Sequence, residues 1–313
     1  MGGKSSERGI SLTTGRMIMN ALDPDRYDAV AVDTRDWNEC ELANMQPLGY
    51  ITGSNGARPR IDVAFIALHG RFGEDGTVQG MLELLGIPYV GSGVLASALA
   101  IDKIMSRRFF LGAGIPMAKG IETGRCNVEE LADRVEAELG LPAVVKPSRQ
   151  GSSYGLSIPE TRADLLESLN LAFLYDDELL IEEYLEGTEI TVPIIGWTEL
   201  QVLPVVEIVP NLGKFYDTSS KYDEGGNDEI IPPRISDRAA ETAEELALRC
   251  HRLLGCRDVS RTDMIVRGDD VRVLETNTIP GMTPTSLLPN SARHAGIPFP
   301  ELLDRLIGCA LER

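Results

Sequence analysis

Arg261-Thr262-Asp263-Met264-Ile265-Val266-Arg267-Gly268-Asp269-Asp270-Val271-Arg272-Val273-Leu274-Glu275-Thr276-Asn277 reads as two strands around a turn. Gly268-Asp269-Asp270 is the turn signal between two strand-like runs. If the turn is symmetric about Asp269, then Asp263 faces Glu275 and Arg261 faces Asn277. Side chains alternate at period two, so all four project from one face. Met264, Ile265, Val273 and Leu274 supply apolar packing around them. Two carboxylates and an amide oxygen on one patch form an all-oxygen set suited to a hard cation. Mg²⁺ shared with nucleotide phosphates is the natural choice, because it is held by few protein carboxylates plus substrate. The alternative is a surface hairpin whose acids pair with Arg261.

Upstream, Ala143-Val144-Val145-Lys146 reads as a buried strand that opens into the loop Ser148-Arg149-Gln150-Gly151-Ser152-Ser153-Tyr154-Gly155. Glycines let a backbone approach phosphate closely, while N–H groups and serine hydroxyls donate to its oxygens. The lysine precedes the glycines, so this is not the GxxxxGK[ST] loop, and a solvent-exposed hairpin turn fits it equally well. A helix is expected over 127–139, with Asn127 as N-cap, Glu130 completing a capping box and Gly140 as the stop. Ile181-Glu182-Glu183-Tyr184-Leu185, with Glu189 beyond, is either an acidic rim around a purine amino group and ribose or an edge strand with exposed acids. Strands are expected at 179–185, 189–196 and 201–209. A long helix at 237–254, between Ser236 and Gly255, and a final amphipathic helix near 300–311 complete the pattern.

The first ~90 residues read as an open α/β sheet, whose ligands bind beyond the carboxyl ends of the strands. Asp62 to His69 and Ala29 to Asp33 are its strands, and His69 closes the first of these ahead of Gly70. Such a sheet starts with a strand before its glycine-rich turn, yet Gly2-Gly3 follow Met1 directly. Either a further strand lies upstream, on the order of 5–6 residues, or another element takes its place; the pattern favours the first. His251 and His294 are expected to be solvated.

The 313 residues correspond to about two domains. Nucleic acid needs a clustered positive surface, so a net charge of −18 argues against nucleic acid and an anionic membrane as partners. It leaves room for a small anion held by a few local cations. No apolar run approaches the ~20 residues of a membrane span, and the N-terminal residues are not a signal peptide. The five cysteines are scattered without metal-ligand spacing, which reads as reduced thiols in a cytoplasm.

Several stretches together resemble the D-alanine–D-alanine ligases, ATP-grasp enzymes of bacterial cell-wall synthesis. They run in order along nearly the whole chain: Gly2-Gly3-Lys4-Ser5-Ser6-Glu7, His69-Gly70-Arg71-Phe72-Gly73-Glu74-Asp75-Gly76 and Gly91-Ser92-Gly93. Asp102-Lys103, Val145-Lys146-Pro147-Ser148, Phe215-Tyr216-Asp217 and Lys221-Tyr222 follow. Arg261-Thr262-Asp263 and Glu275-Thr276-Asn277-Thr278-Ile279-Pro280-Gly281-Met282-Thr283 close the series. The HGxxGEDG and ExNTxPGMT runs are highly specific together.

The resemblance implies an ATP-grasp fold behind an N-terminal open parallel α/β sheet, divided at 1–92, 93–182 and 183–313. It implies that Asp263, Glu275 and Asn277 hold Mg²⁺ (or Mn²⁺) on ATP. Lys103, Lys146, Ser153 and Lys221 would serve the nucleotide, and Glu182, Glu183, Leu185 and Glu189 would line the adenosine pocket. Glu7 would hold the ammonium of a first D-alanine with His69 nearby, and Ser286 and Leu287 would receive the carboxylate of a second. Ser152, Tyr222 and Glu7 would form a hydrogen-bonded set closing a loop over the site, while Arg261 and the Gly281 N–H stabilise a developing oxyanion. Relatives commonly carry lysine at the position of Glu183. The resemblance also implies a homodimer. D-Ala-D-lactate and D-Ala-D-Ser ligases share the fold; Tyr222 speaks against the first, because depsipeptide enzymes carry a different residue there. A nucleotide-binding protein without ligase activity is the rival from another class.

Overall fold

A computed structural model of the chain describes residues 1–5, 7–36, 61–151, 154–210 and 227–313. Near the N-terminus, α1 (Arg8–Ala21) follows the glycine turn, and Ser11, Thr14, Gly15 and Ile18 form its buried face. β1 (Ala64–Phe65) pairs in parallel with β2 (Tyr89–Val90), and α2 (Thr77–Leu85) connects them. This parallel pair is the open α/β sheet among the described residues. Ala29–Asp33, expected as a strand, is not one; it contacts Met1 instead. The Met1 amine donates to the Val32 carbonyl at 2.8 Å, and the Thr34 N–H donates to the Met1 carbonyl.

The middle of the chain builds a three-stranded antiparallel sheet. α3 (Val94–Ile101) and α4 (Lys103–Gly112) lead into β3 (Gly120–Gly124). α5 (Val128–Glu138) begins at the predicted cap, with the Asn127 side chain accepting from the Glu129 and Glu130 N–H groups, but without the reciprocal Glu130 bond of a capping box. β4 (Ala143–Pro147), α6 (Arg162–Ala172) and β5 (Glu178–Glu183) follow. A reciprocal capping box forms at α6, between Thr161 and Asp164. The strand order β3-β5-β4 puts β5 in the centre. Glu182 is therefore no exposed acid on an edge strand: it is 2% exposed. Leu131, Val135, Leu165 and Leu169 cover this sheet with α5 and α6.

The last part is one large antiparallel sheet backed by a helix. Its strands are β6 (Thr188–Gly196), β7 (Gln201–Val202), β8 (Val206–Pro210), β9 (Asn227–Ile230), β10 (Asp258–Arg267) and β11 (Asp270–Asn277). The order is β11-β10-β6-β8-β9, with β7 beside β6. The single strand expected over 201–209 is broken into β7 and β8. α7 (Asp237–Leu254) lies between β9 and β10 in sequence, capped by Ser236 onto the Ala239 N–H and stopped at Gly255, whose φ is +71°. Ala239, Ala243, Leu246, Ala247, Cys250 and Leu254 recur on one helical face. They pack with Ile190, Val192, Ile194, Met264, Val266, Val271 and Val273 of the sheet. α8 (Leu287–His294) and α9 (Phe299–Leu311) end the chain, and α9 packs against Ile18 and Val90.

The β10–β11 hairpin pairs Arg261 with Asn277 and Asp263 with Glu275, as the symmetry argument predicts, but by a different route. The turn is Gly268-Asp269 flanked by Arg267 and Asp270, and Met264 pairs with Val273. One extra residue, Leu274, then shifts the register between Met264 and Asp263. A β-bulge of this kind opposes two residues to one and reverses which face the following side chains take. Symmetry about Asp269 therefore describes the site pairs and not the turn.

His251 is a second correction. It is 2% exposed, not solvated, with its Nδ1 at 2.8 Å from the Ser260 hydroxyl. Burial, with Arg252 nearby, pushes its pKa down from 6.5 to about 4. Below pH 6.5 the unfolded chain binds a proton that the folded chain refuses until about pH 4. Folding stability is thus fully present above pH 6.5 and declines as pH falls through that window. The shift corresponds to on the order of 3 kcal/mol. Urea unfolding at about pH 7.5 and about pH 5 should show this loss, and His251→Gln should flatten it.

Candidate active site

Lys146 and Glu182 face each other across neighbouring strands. β4 and β5 place Lys146 beside Leu180 and Val144 beside Glu182. The lysine Nζ donates to Glu182 Oε2 at 2.7 Å, and Arg107 of α4 donates to Oε1 at 3.0 Å. Burial opposes the charge on Lys146, but Glu182, with Glu275 and Glu189 beyond it, raises its pKa above the ordinary lysine value. Glu183 points its chemistry elsewhere: its carboxylate accepts from the Lys119 N–H, and its own N–H donates to the Lys119 carbonyl. Leu185 and Glu189 are both half-buried, Leu185 on the stretch leading into β6 and Glu189 in β6 itself, opposite Ile265.

Lys103 connects this region to the hairpin. It is the first residue of α4, whose cap Asp102 accepts from the Met105 N–H. Lys103 Nζ donates to the Gln150 carbonyl at 2.7 Å and lies 3.6 Å from Glu275 Oε2. Asp102 also accepts from Ser148 Oγ and Arg149 Nε. Burial works against its ionisation, yet these bonds hold its pKa below the ordinary carboxylate value. One cation is thereby shared between the glycine–serine loop and a hairpin carboxylate.

On the hairpin, Arg261 pairs with Asp263 as the bland alternative anticipated, but inside the protein. Asp263 is 5% exposed and accepts Arg261 Nε at 2.9 Å and Nη2 at 2.8 Å. It also accepts from Thr191 Oγ1 and from Asn277 Nδ2, the latter at 3.2 Å. The donor set available to a cation is two carboxylates and one amide; among the described residues no cluster of three His, Cys, Asp or Glu side chains could hold a metal.

The N-terminal candidates converge on a second cluster. Glu7 is 3% exposed at the start of α1. Gly70 and Gly151 crowd it so closely that a Cβ at either would stand 2.8 Å and 3.0 Å from Glu7 Oε1. Gly151 also lies against Glu74, which accepts from the Gly70 N–H. His69 is buried, with Nε2 at 3.1 Å from Thr14 Oγ1 and Nδ1 at 3.9 Å from Glu74 Oε1. A small cavity brings His69 together with Thr278, Ile279 and Pro280, so the two most specific sequence runs meet.

Gly281 lies against Ser286; a Cβ there would be 3.0 Å from the serine Oγ. Ser286 precedes α8, but its hydroxyl bonds Thr283 and does not cap the helix. The Leu287 side chain is core, packed with Val206 and Ile208, so only its backbone can serve a ligand. Ser152, Ser153, Lys221 and Tyr222 lie outside the described residues.

Sequence reasoning missed Arg107, Thr191, Asp258 and Arg313. Asp258 is fully buried with φ +60°, and accepts from the Gly91 N–H and twice from Arg313. Burial raises its pKa even against Arg313. A lone arginine in an amphipathic helix carries no signal of what it reaches; positive φ at an aspartate carries none either.

Residues 1–92 match the family model described as the D-ala D-ala ligase N-terminus, and residues 110–308 match that of the D-ala D-ala ligase C-terminus. The chain belongs to the D-alanine–D-alanine ligase family. It is 47% identical to the D-alanine–D-alanine ligase of Syntrophobacter fumaroxidans, over 99% of this chain and 96% of that one. The ligase of Pelotomaculum thermopropionicum is 43% identical over 100% and 95%. A crystal structure of the Bacillus anthracis ligase complexed with ATP superposes with a TM-score of 0.80 at 34% identity, over 100% of this chain and 96% of that one. The VanG D-Ala:D-Ser ligase of Enterococcus faecalis gives 0.82 at 31%, over 99% and 97%. The fold is the ATP-grasp fold of these ligases.

Arg107 yields a test. Its side chain is 6% exposed and that of Glu182 is 3% exposed. Arg107→Met should destabilise by up to about 3 kcal/mol, the low end for breaking a buried pair, because Lys146 still holds the other oxygen. Combining it with Glu182→Gln should lower the urea midpoint further, since the buried Lys146 would then lose the carboxylate that keeps its charge.

Proposed function

We propose that the chain joins two D-alanines to D-alanyl-D-alanine at the expense of ATP, for peptidoglycan synthesis. Within a family of such ligases, the observation that carries the reading is the Lys103 contact with both Gln150 and Glu275. It unites the candidate phosphate loop and the candidate metal hairpin in one place.

The carboxylate of the first D-alanine attacks the γ-phosphorus, forming an acyl phosphate and releasing ADP. The amine of the second, having lost its ammonium proton, attacks the acyl carbon and displaces phosphate. Negative charge builds first on the transferred phosphoryl and then on the carbonyl oxygen, so preorganised cations and N–H donors are required. Lys103 and Lys146 would bind the phosphates, with Ser153 and Lys221 assisting. Glu182, Glu183, Leu185 and Glu189 would line the adenosine pocket, Glu183 through its backbone. Arg261 and the Gly281 N–H would face the developing oxyanion. Glu7 would hold the first ammonium beside His69, and Ser286 with the Leu287 N–H would hold the second carboxylate at the start of α8, where helix N–H groups favour an anion. Ser152, Tyr222 and Glu7 would close the site against water, which protects an acyl phosphate from hydrolysis.

Asp263, Glu275 and Asn277 fit Mg²⁺ or Mn²⁺. Turning the Asn277 amide over would set its oxygen 3.2 Å from Asp263 Oδ2, a pair of oxygens that a shared cation stabilises. Such an ion, when bound with ATP, would neutralise phosphate charge. A cytoplasmic homodimer completes the reading.

Glu275→Gln is near-isosteric and removes one anionic ligand. Turnover at limiting Mg²⁺ should fall by at least the roughly 10–100-fold that loss of a metal ligand's outer partner costs, with the fold unchanged by circular dichroism. Competition among D-alanine, D-serine and D-lactate tests the substrate. Release of phosphate from ATP should depend on D-alanine, and D-alanyl-D-alanine should predominate at neutral pH. Tyr222→Lys should move product toward the ester, because a cation there repels the ammonium form of D-alanine. A native product that is mainly D-alanyl-D-lactate would sink the substrate assignment, and ATP binding without turnover would sink the ligase reading.

A further inference from the structure

Three consecutive residues after β4 are each bonded to the same two pieces of the chain, the start of α4 and the turn ahead of β5. The Ser148 carbonyl accepts from the Lys103 N–H at 2.9 Å, and the Ser148 N–H donates to the Glu178 carbonyl at 2.9 Å. The Gln150 carbonyl accepts from Lys103 Nζ at 2.7 Å, and its side-chain amide donates to the Tyr175 carbonyl at 3.0 Å. Arg149, between them, spans both pieces with one side chain. Its Nε donates to Asp102 Oδ2 at 2.9 Å, and Nη2 donates to Glu178. Its backbone N–H donates to Asp176 Oδ2 at 2.8 Å, and Nη1 lies 3.8 Å from Asp176 Oδ1.

These ion pairs add little stability, because the Arg149 side chain is half exposed. What they fix is position. Asp102 caps α4 through the Met105 N–H, and the next residue is Lys103. A guanidinium is planar with its donors in a fixed fork, so holding Asp102 and Glu178 together sets the distance between the helix start and the turn. Without it, Asp102, Asp176 and Glu178 would face one another across the gap it fills, and like charges that close repel.

We infer that Arg149 is a positioning residue for ATP, acting through Asp102 and the neighbouring Gln150 carbonyl to hold Lys103 where the phosphates arrive. The inference rests on the proposed role of Lys103 as a phosphate ligand. The Arg149 nitrogens already face three acids, so it serves the nucleotide through other residues and not by contact.

Calorimetric titration with a non-hydrolysable ATP analogue and Mg²⁺, together with hydrogen exchange at the Lys103 amide, tests this. Arg149→Met should weaken analogue binding about tenfold and speed exchange at Lys103 about tenfold, leaving KM for D-alanine unchanged. Its Tm should stay within about 2 °C of wild type. Asp102→Asn is the sharper case. Asparagine still caps a helix, but its amide would set donor against donor at Arg149 Nε. It also removes a negative charge near a polyanion, so simple electrostatics predicts tighter binding where lost positioning predicts weaker. Arg125→Met is the control: Arg125 bonds Asp177 and the Phe173 carbonyl beside the same turn, and its loss should leave both readouts unchanged. Unchanged binding in Arg149→Met, tighter binding in Asp102→Asn, or equal weakening in Arg125→Met would overturn the inference. So would weaker binding without faster exchange at Lys103, since Arg149 would then be touching the phosphates itself. A wild-type chain that binds no analogue would overturn the ATP reading and the inference with it, and the wild-type titration alone tells the two failures apart.

Discussion

Asp263 accepts four hydrogen bonds, two from Arg261 and one each from Thr191 and Asn277, where β6, β10 and β11 run side by side. That uses about all the lone-pair directions a carboxylate has, and the long Asn277 bond is the one a cation would replace. The bonds hold the Arg261 guanidinium in one plane and tie all three strands to one atom group. They depend on Leu274. If pairing ran on unbroken from the turn, Asp263 would face Leu274, and Glu275 would share a face with Val273. Val273 is 1% exposed against α7, and an unpaired carboxylate there would face a large desolvation cost. One extra residue lets a single strand give Val273 to the core and Glu275 to the site.

The site also answers how a chain of net charge −18 can hold a triphosphate. Lys146 is paired with Glu182, Lys103 with Glu275 and Arg261 with Asp263, so each cation is placed by an acid before any ligand arrives. A bare lysine in that position would lose its charge to burial. A phosphate entering such a strip would exchange partners with the carboxylates, and little new ordering of long side chains would be needed. Arg107 is the complement of this arrangement. It keeps Glu182 compensated on one oxygen whatever Lys146 does on the other.

Much of this was legible because it is local. Asn127 and Ser236 announce helix starts by their own chemistry, and the alternation in β10 and β11 announces a face. The pairing of Asp263 with Glu275 and of Arg261 with Asn277 was legible for the same reason, as was the place of Lys146 near the end of its strand. What failed depends on long-range placement. His251 sits among arginines in sequence, yet its helical face is the buried one. Glu182 looks like an edge acid until β3 and β4 flank it on both sides. The bulge at Leu274 could not be told from a symmetric turn, because both place Asp263 opposite Glu275.

Asp258 shows why the two halves of the site keep their distance from one another. It begins the strand that carries Arg261 and Asp263, and its carboxylate holds the Gly91 N–H at 2.7 Å. Gly91 follows β2, the strand paired with β1, and β1 leads to His69 and Gly70. Arg313, from the chain's end, grips both Asp258 oxygens and also the Tyr89 carbonyl, fastening β10 and β2 to one guanidinium. A buried aspartate with positive φ is an expensive choice for a connector. It is retained because a hydrogen-bonded carboxylate fixes direction as well as distance, where apolar packing would let the sheets slide. The Glu7 cluster and the hairpin are thereby held in one frame. Gly151, against Glu7, and Gln150, bonded to Lys103, meet both parts of that frame.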